Sequence, residues 1–479
     1  MLRSTESYIS DKDHLNTICD EFGVGSTKVS EVCKEICTNL KSRSEEILKV
    51  WPAYRRSNPY RIVFVVITKS AVTSKKDVNI FEDFEVLLRG KTEKNVENKQ
   101  VINHEVDSLT RIDLSQMEKL RTVIKDHSKT LREQHSNITM ISASPFKSRG
   151  FMKGKHTLER KDCVVLYVHV KGLIPVQETC FPDVLDGFPV DVREAVIQLY
   201  AGGQPSDRHD QLKMGCAIGP QDRKCTGTLG GFVDIAEHGL CAITCAHVVI
   251  EEDNLKSKVL KETICFQPSI EYSNSKRCGK VVNHCFSTRS EEKSLDVAVI
   301  KLDKERSPVS GQFPDISKKD LIKAGFDENQ TLQFTSGKVY DSSDIKENRD
   351  SRLIKYGASS RLRIGEFRFL GADIAKGPLM YSGNIELILD NLMQIYDIEG
   401  CGPFAEKGDS GSLVFSVSNS DSELTAVGML LGGDDGFSVA TPICDALYGI
   451  GCAAPCNLKC FDMETNRKEG MLYVRNVKF

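Results

Sequence analysis

Three short segments, far apart in the chain, each set one reactive side chain at the edge of an apolar run. They are Ile243-Thr244-Cys245-Ala246-His247-Val248-Val249, Leu295-Asp296-Val297-Ala298-Val299-Ile300-Lys301-Leu302 and Gly408-Asp409-Ser410-Gly411-Ser412-Leu413-Val414. Apart, an imidazole, a carboxylate and a hydroxyl do little. Together, the imidazole takes the hydroxyl proton, while the carboxylate fixes its tautomer and steadies its cation. A fold for this chain is therefore constrained to gather the ends of distant strands in one place.

The surrounding pattern fits that demand. Short runs at 227–233, 240–244, 296–302, 411–416, 426–432 and 437–441 alternate with Gly, Asp and Ser. That spacing predicts an all-β barrel or sandwich. Thr441-Pro442-Ile443 opens a terminal helix running through Leu447. Upstream, residues 201–212 are polar and turn-rich and read as a linker. Residues 111–200 read as a small α+β module. Ser115 and Glu118 form a capping box there, Met117, Leu120, Ile124 and Leu131 make one helix face, and strands follow at 138–141, 163–170 and near 190. Residues 1–110 are a mixed helical region of unassigned role. Ser26 caps a helix carrying Val29, Val32, Ile36, Leu40 and Ile47, 62–67 is a buried strand, and the polar stretch 91–103 is a loop or a poorly ordered connection. The domain division expected is thus 1–110, 111–200, linker 201–212, and 213–479.

With 479 residues, 40% hydrophobic and 27% charged, the chain is globular and too long for one ordinary core. A net charge of −3 without a long single-sign block argues against general nucleic-acid or membrane-surface binding. No apolar run approaches the length of a membrane crossing, and the first residues lack the basic-then-apolar pattern of a signal peptide. The 17 cysteines are odd in number and scattered. These features together predict a reducing compartment: cytoplasmic, with the nucleus left open, and not secreted.

In Gly408-Asp409-Ser410-Gly411, the glycine permits a turn that aims successive N–H groups into one concavity. The N–H groups of Gly408 and Ser410 are candidates for an oxyanion hole. Asp409 is expected behind this loop, where a buried carboxylate needs a counter-charge. Asp296 opens an alternating strand, and small residues before His247 let it sit tightly at a strand end.

Taken in this order and in these frames, the three motifs resemble those of chymotrypsin/trypsin-like serine peptidases. The resemblance implies an all-β two-barrel peptidase domain, here preceded by an α+β N-terminal region. It implies His247 as general base, Asp296 as orienting carboxylate, Ser410 as nucleophile, and no cofactor or metal. The implied partner is a protein or peptide substrate, with neither nucleic acid nor membrane; self-association is left open. A narrower likeness covers roughly 138–450. Cys163-Val164-Val165-Leu166-Tyr167-Val168-His169-Val170, Leu185-Asp186-Gly187-Phe188-Pro189-Val190-Asp191-Val192, Gly227-Thr228-Leu229-Gly230-Gly231-Phe232 and, loosely, Lys355-Tyr356-Gly357-Ala358-Ser359-Ser360 resemble an intracellular group that includes the plant narrow-leaf proteins.

Two departures from the secreted pattern follow. No activation-type amino terminus lies near 215–231, so Asp409 needs another partner. Phe404 stands six residues before Ser410, so a preference for Arg or Lys is not supported; Phe404, Gly432 and Gly433 are the candidate specificity-pocket residues. A catalytically inactive binding or scaffold protein on the same fold is the alternative, and an enzyme that cuts only itself is a third. Asp434-Asp435 reads as a hairpin turn or as a wall of the cleft. Cys444, Cys452, Cys456 and Cys460 read as free thiols rather than a zinc knot, and His169 as a packed core histidine.

Overall fold

The structure is a computed structural model and describes residues 12–70, 74–80, 84–90, 96–202, 206–255, 261–286, 295–374, 388–418, 423–452 and 456–461. The chain divides into two compact units built from interleaved stretches, one of residues 1–101, 125–196 and 375–386, the other of 102–124, 197–374 and 387–479.

The first unit begins with α1 (Lys12–Phe22) and α2 (Thr27–Ser42), the latter capped by the Ser26 side chain on Val29 N–H. Val29, Cys33, Ile36 and Leu40 fall on one face of α2 and are buried. They pack over β1 (Ile47–Arg55) and β2 (Asn58–Thr68) in a cluster with Ile62, Phe64 and Val66. Ile47, expected on the helix, starts β1 instead, because α2 ends at Ser42. β3 (Val86–Gly90) adds in parallel to β2.

The expected loop at 91–103 is corrected from Val96 onward, where α3 (Val96–Asp107) begins; 91–95 lie outside the described residues. Its polarity conceals burial. Glu97 is 2% exposed, and its carboxylate accepts from Lys171 Nζ at 2.7 and 2.9 Å and from Ser148 Oγ at 2.5 Å. α4 (Leu114–Gln134) starts one residue before Ser115, with Met117 N–H bonded to Asp113 O, so Ser115 lies inside the first turn and is not the cap. Met117, Leu120, Ile124 and Leu131 are buried as expected. β4 (Ile138–Arg149), β5 (Thr157–Val168), β7 (Val184–Leu185) and β8 (Phe188–Glu194) make a sheet in which β5 and β8 run parallel; β6 (Leu173–Pro175) pairs with β1.

The second unit holds two antiparallel barrels. Its first strand is β9 (Gln198–Leu199). The first barrel uses β10 (Ala217–Pro220), β11 (Gly227–Thr228), β12 (Gly231–Ile235), β13 (Gly239–Thr244), β14 (Ile264–Gln267), β15 (Lys276–Phe286) and β16 (Asp296–Leu302) in the order β11-β10-β14-β15-β16-β13-β12. Only Leu229-Gly230 separates β11 from β12. Leu229 N–H donates to Cys216 O and Gly230 N–H to Ile243 O, both at 2.9 Å, so one stretch of chain reaches both ends of the sheet and curls it into a half-barrel. Two short helices follow β13: α5 (Ala246–Val249) and α6 (Glu252–Leu255).

After α7 (Lys318–Lys323) and α8 (Ser342–Glu347), the second barrel runs β17 (Arg352–Gly357), β18 (Arg361–Ile374), β19 (Leu389–Asp397), β20 (Leu413–Val417), β21 (Leu424–Asp434) and β22 (Phe437–Pro442). Its order is β17-β20-β21-β22-β19-β18, and β18 pairs back onto β17. α9 (Ile443–Gly449) follows directly from Pro442. The two-barrel trypsin-like architecture with a preceding α+β region is therefore the observed fold.

Candidate active site

His247 sits in α5, immediately after β13, and is 1% exposed. Arg223 fixes this short helix from outside: its Nη2 donates to the carbonyls of His247 (2.9 Å), Val248 (3.1 Å) and Ile250 (2.7 Å), which a helix end would otherwise leave unpaired. Asp296 opens β16 and is fully buried. Its Oδ2 meets His247 Nδ1 in a short hydrogen bond, while its Oδ1 accepts the His247 backbone N–H at 3.0 Å. The carboxylate thus grips both the ring and the main chain of the histidine. His247 Nε2 is buried without a hydrogen-bond partner.

Ser410 is fully buried on the loop before β20. Its hydroxyl donates to Leu431 O at 2.5 Å. The loop needs glycine on both sides. Gly408 has φ +104° and Gly411 φ +92°, and a Cβ at either would come within 2.3 Å of Ser359 Oγ or Thr244 Oγ1 respectively.

The partner that Asp409 requires is Lys355. Both side chains are fully buried, and Lys355 Nζ donates to Asp409 Oδ2. Ser360 Oγ (2.6 Å) and Glu406 N–H (2.9 Å) reach the same oxygen, and Ser359 and Ser360 N–H reach Oδ1 at 3.0 and 3.1 Å. Burial alone would raise this carboxyl, but the Lys355 ammonium and these donors hold it below the ordinary aspartate range. The ion pair and its donors tie the Gly408–Ser410 turn to β17 and to the β17–β18 connection.

The N–H groups of Gly408 and Ser410 converge on one carbonyl oxygen, that of Tyr200, at 2.5 and 3.3 Å. Tyr200 N–H in turn donates to Leu431 O at 3.1 Å, and Gly202 N–H to Thr226 O at 2.6 Å. Just before Tyr200, β9 pairs antiparallel with β21, placing Leu199 opposite Gly432 and Gln198 opposite Gly433. Gly432 and Gly433 are therefore at a strand edge filled by the chain itself, and a Cβ at Gly432 would sit 1.9 Å from Gln198 O.

Phe404 is fully buried, with its ring against Gly365 of β18 and its N–H on Asp397 Oδ1 at 2.8 Å. Asp434 ends β21 and Asp435-Gly436 makes the turn into β22. Burial first, then the charges of Asp434, Asp397, Asp409 and Asp435, push the Tyr200 phenol upward and keep it protonated.

Among the described residues one group offers three possible metal-donor atoms within 4.8 Å: Cys245, His247 and Asp296. Its chemistry suits a proton relay better than a cation. Burial lifts the Cys245 thiol well above its usual range, its S–H donates to Leu430 O at 3.2 Å, and His247 Nδ1 is already committed to Asp296. Cys444 and Cys456 direct their thiols to backbone carbonyls of Tyr340 and Cys452.

Sequence reading missed Lys355, Arg223 and the segment at 198–202. Lys355 lies on β17 beside Leu353, Ile354 and Tyr356, and nothing in the sequence separates it from the strand's other cation, Arg352.

No family model matches the chain, and no curated protein does. Among solved structures, protease A of Thermobifida fusca is 16% identical, covering 52% of this chain and 99% of its own, with a TM-score of 0.32. Cellulomonas bogoriensis chymotrypsin is 15% identical, covering 50% and 96%, at 0.31. A glutamic-acid-specific serine protease is 15% identical, covering 50% and 98%, at 0.33. Each is similar to this chain over about half of its length.

Proposed function

We propose that the chain is a serine-type endopeptidase that hydrolyses peptide bonds through an acyl-enzyme. Ser410 Oγ attacks a peptide carbonyl, His247 Nε2 takes and later returns the proton, and Asp296 holds the ring and steadies its cation. Gly408 and Ser410 N–H stabilise the developing oxyanion; losing one such donor costs on the order of 10²–10³ in turnover. The observation that carries this reading is a buried imidazole with Nδ1 bound to a carboxylate and Nε2 unpartnered, in the same unit as two N–H groups converging on one carbonyl oxygen. The reading requires the Ser410 hydroxyl to turn from Leu431 O toward Nε2.

The 17 cysteines carry thiols rather than disulfides, which supports work in a reducing compartment. Among the described residues no helix is long and apolar enough to cross a membrane. Division at 201–212, with the upstream α+β region positioning substrate or mediating assembly, belongs to the same proposal.

A binding protein on the same fold is the second reading, favoured by the Ser410–Leu431 hydrogen bond. A fluorophosphonate probe separates the two. Label on Ser410 in the wild type and none in Ser410→Ala supports the endopeptidase, and that variant should lose at least about 10⁴-fold in peptide hydrolysis. Absence of label and of hydrolysis in both supports the binding protein.

A further inference from the structure

We propose that the chain is its own substrate and that the bond it cuts is Tyr200–Ala201; this rests on the endopeptidase reading and names the substrate of that site. A peptide cut by such a site must meet three geometric demands. The residues before the bond must pair with a strand edge, the carbonyl oxygen of the bond must lie between the oxyanion donors, and the chain after the bond must be held on the other side. Segment 198–202 meets all three. Gln198 and Leu199 add antiparallel to Gly433 and Gly432, and Tyr200 N–H continues the pairing onto Leu431 O. Tyr200 O receives both Gly408 and Ser410 N–H. Past the bond, Gly202 N–H is anchored on Thr226 O, at φ +120°, a conformation open to glycine. An ordinary loop crossing a cleft would leave the oxyanion donors to water.

The site is formed in the uncut chain. In a scheme where cleavage frees an amino terminus to pair with Asp409, the oxyanion turn would wait for that cut; Lys355 already occupies that place. The segment is also tethered, so its effective concentration in the cleft is high.

The steps balance with water as the only co-reactant. Ser410 Oγ bonds to the Tyr200 carbonyl carbon and its proton passes to His247 Nε2. The Tyr200 C–Ala201 N bond breaks and Ala201 N takes that proton. Water, giving a proton to His247, then attacks the Tyr200–Ser410 ester, the ester C–O bond breaks, His247 returns that proton to Ser410 Oγ, and the Tyr200 acid loses its proton to solvent as the carboxylate. The products are 1–200 and 201–479.

The test uses the full-length chain, followed over time by intact mass and amino-terminal sequencing. The expected result is a new amino terminus at Ala201 and a fragment ending at Tyr200 in the wild type, with a first-order rate unchanged across a dilution series, and neither in Ser410→Ala. Ala201→Pro should slow the cut by about 100-fold or more, because the tertiary amide misplaces the leaving nitrogen. Leu199→Glu, which sets a charge where Leu199 is buried, should expel the segment. It too should stay uncut, yet take up fluorophosphonate at Ser410 faster than Ala201→Pro. A wild-type chain that labels at Ser410 but never yields the Ala201 terminus, or yields it with second-order kinetics, overturns this inference and leaves the endopeptidase reading standing. No label in Leu199→Glu together with no cut in the wild type overturns both.

Discussion

The Lys355–Asp409 pair is the residue-scale feature on which the site most depends. Two charges taken wholly out of water gain little over an apolar pair, but removing one strands the other. Lys355→Met should therefore destabilise the fold by roughly 3–5 kcal/mol, read by urea unfolding. It should also cut fluorophosphonate labelling by about 10²–10³, since the Gly408 and Ser410 donors lose their anchor. Adding Asp409→Leu removes the stranded charge. It should restore part of the stability and none of the labelling, which separates positioning from bulk stability. The three candidate side chains stand out in the sequence because each motif is local, and the structure sets them where those motifs place them: after a strand end (His247), at a strand start (Asp296) and in a glycine-flanked turn (Ser410). Lys355 was not, because its partner lies 54 positions away and nothing in its neighbours states that its ammonium is buried. Tyr200 was hidden likewise: a turn-rich stretch beginning at Ala201 reads as a linker whether it hangs free or lies in a cleft.

Among elements, strands announce themselves best. β16 runs Asp-Val-Ala-Val-Ile-Lys-Leu with only Lys301 exposed, and β-branched repeats of this kind fix both strand and register. α3 failed that test, since beside Val101 and Ile102 it buries Glu97, Asn98 and Glu105, polar side chains that mimic a solvated stretch. The turn after β16 hides a similar device. Arg306 is fully buried and donates to the carbonyls of His209 (2.8 Å), Asp210 (3.0 Å), Lys276 (3.1 Å) and Arg277 (2.8 Å), and to Gln267 Oε1 at 2.8 Å. It binds residues 209–210 to the first barrel just downstream of the segment in the cleft. Arg306→Met would leave these acceptors unpaired at about 1–3 kcal/mol each where water cannot enter. The expected outcome is faster limited tryptic cleavage after Arg208 and Lys213 and a lower urea midpoint, with the probe reaction at Ser410 less affected than stability. Unchanged proteolysis at those sites would show that Arg306 does not hold the segment.

At the scale of the whole molecule, the two compact units need not unfold together, so one transition cannot be assumed to report both. The chain supplies its own separate probe. Its single tryptophan, Trp51, packs against the cluster of Ala53, Val63, Val65, Ile67, Val170 and Leu173 in the first unit. Beside that cluster, after β5, His169 is buried with neither ring nitrogen hydrogen-bonded, as expected of a core histidine. Burial, and then the charge of Lys49, depress its pKa to about 3. An imidazole that stays neutral in the fold but titrates near 6.5 when unfolded makes the unfolded chain the better proton acceptor between those values. The stability of the first unit is therefore whole above about pH 6.5 and falls as pH drops toward 3. Between pH 7 and pH 4.5 this one group should remove about 2–3 kcal/mol. Trp51 fluorescence in urea at the two pH values measures it. His169→Phe, similar in size and without a proton to gain, should lose that much less on acidification, whatever the carboxylates elsewhere contribute. An equal acid loss in wild type and variant would mean that His169 finds a partner for its charge within the folded unit.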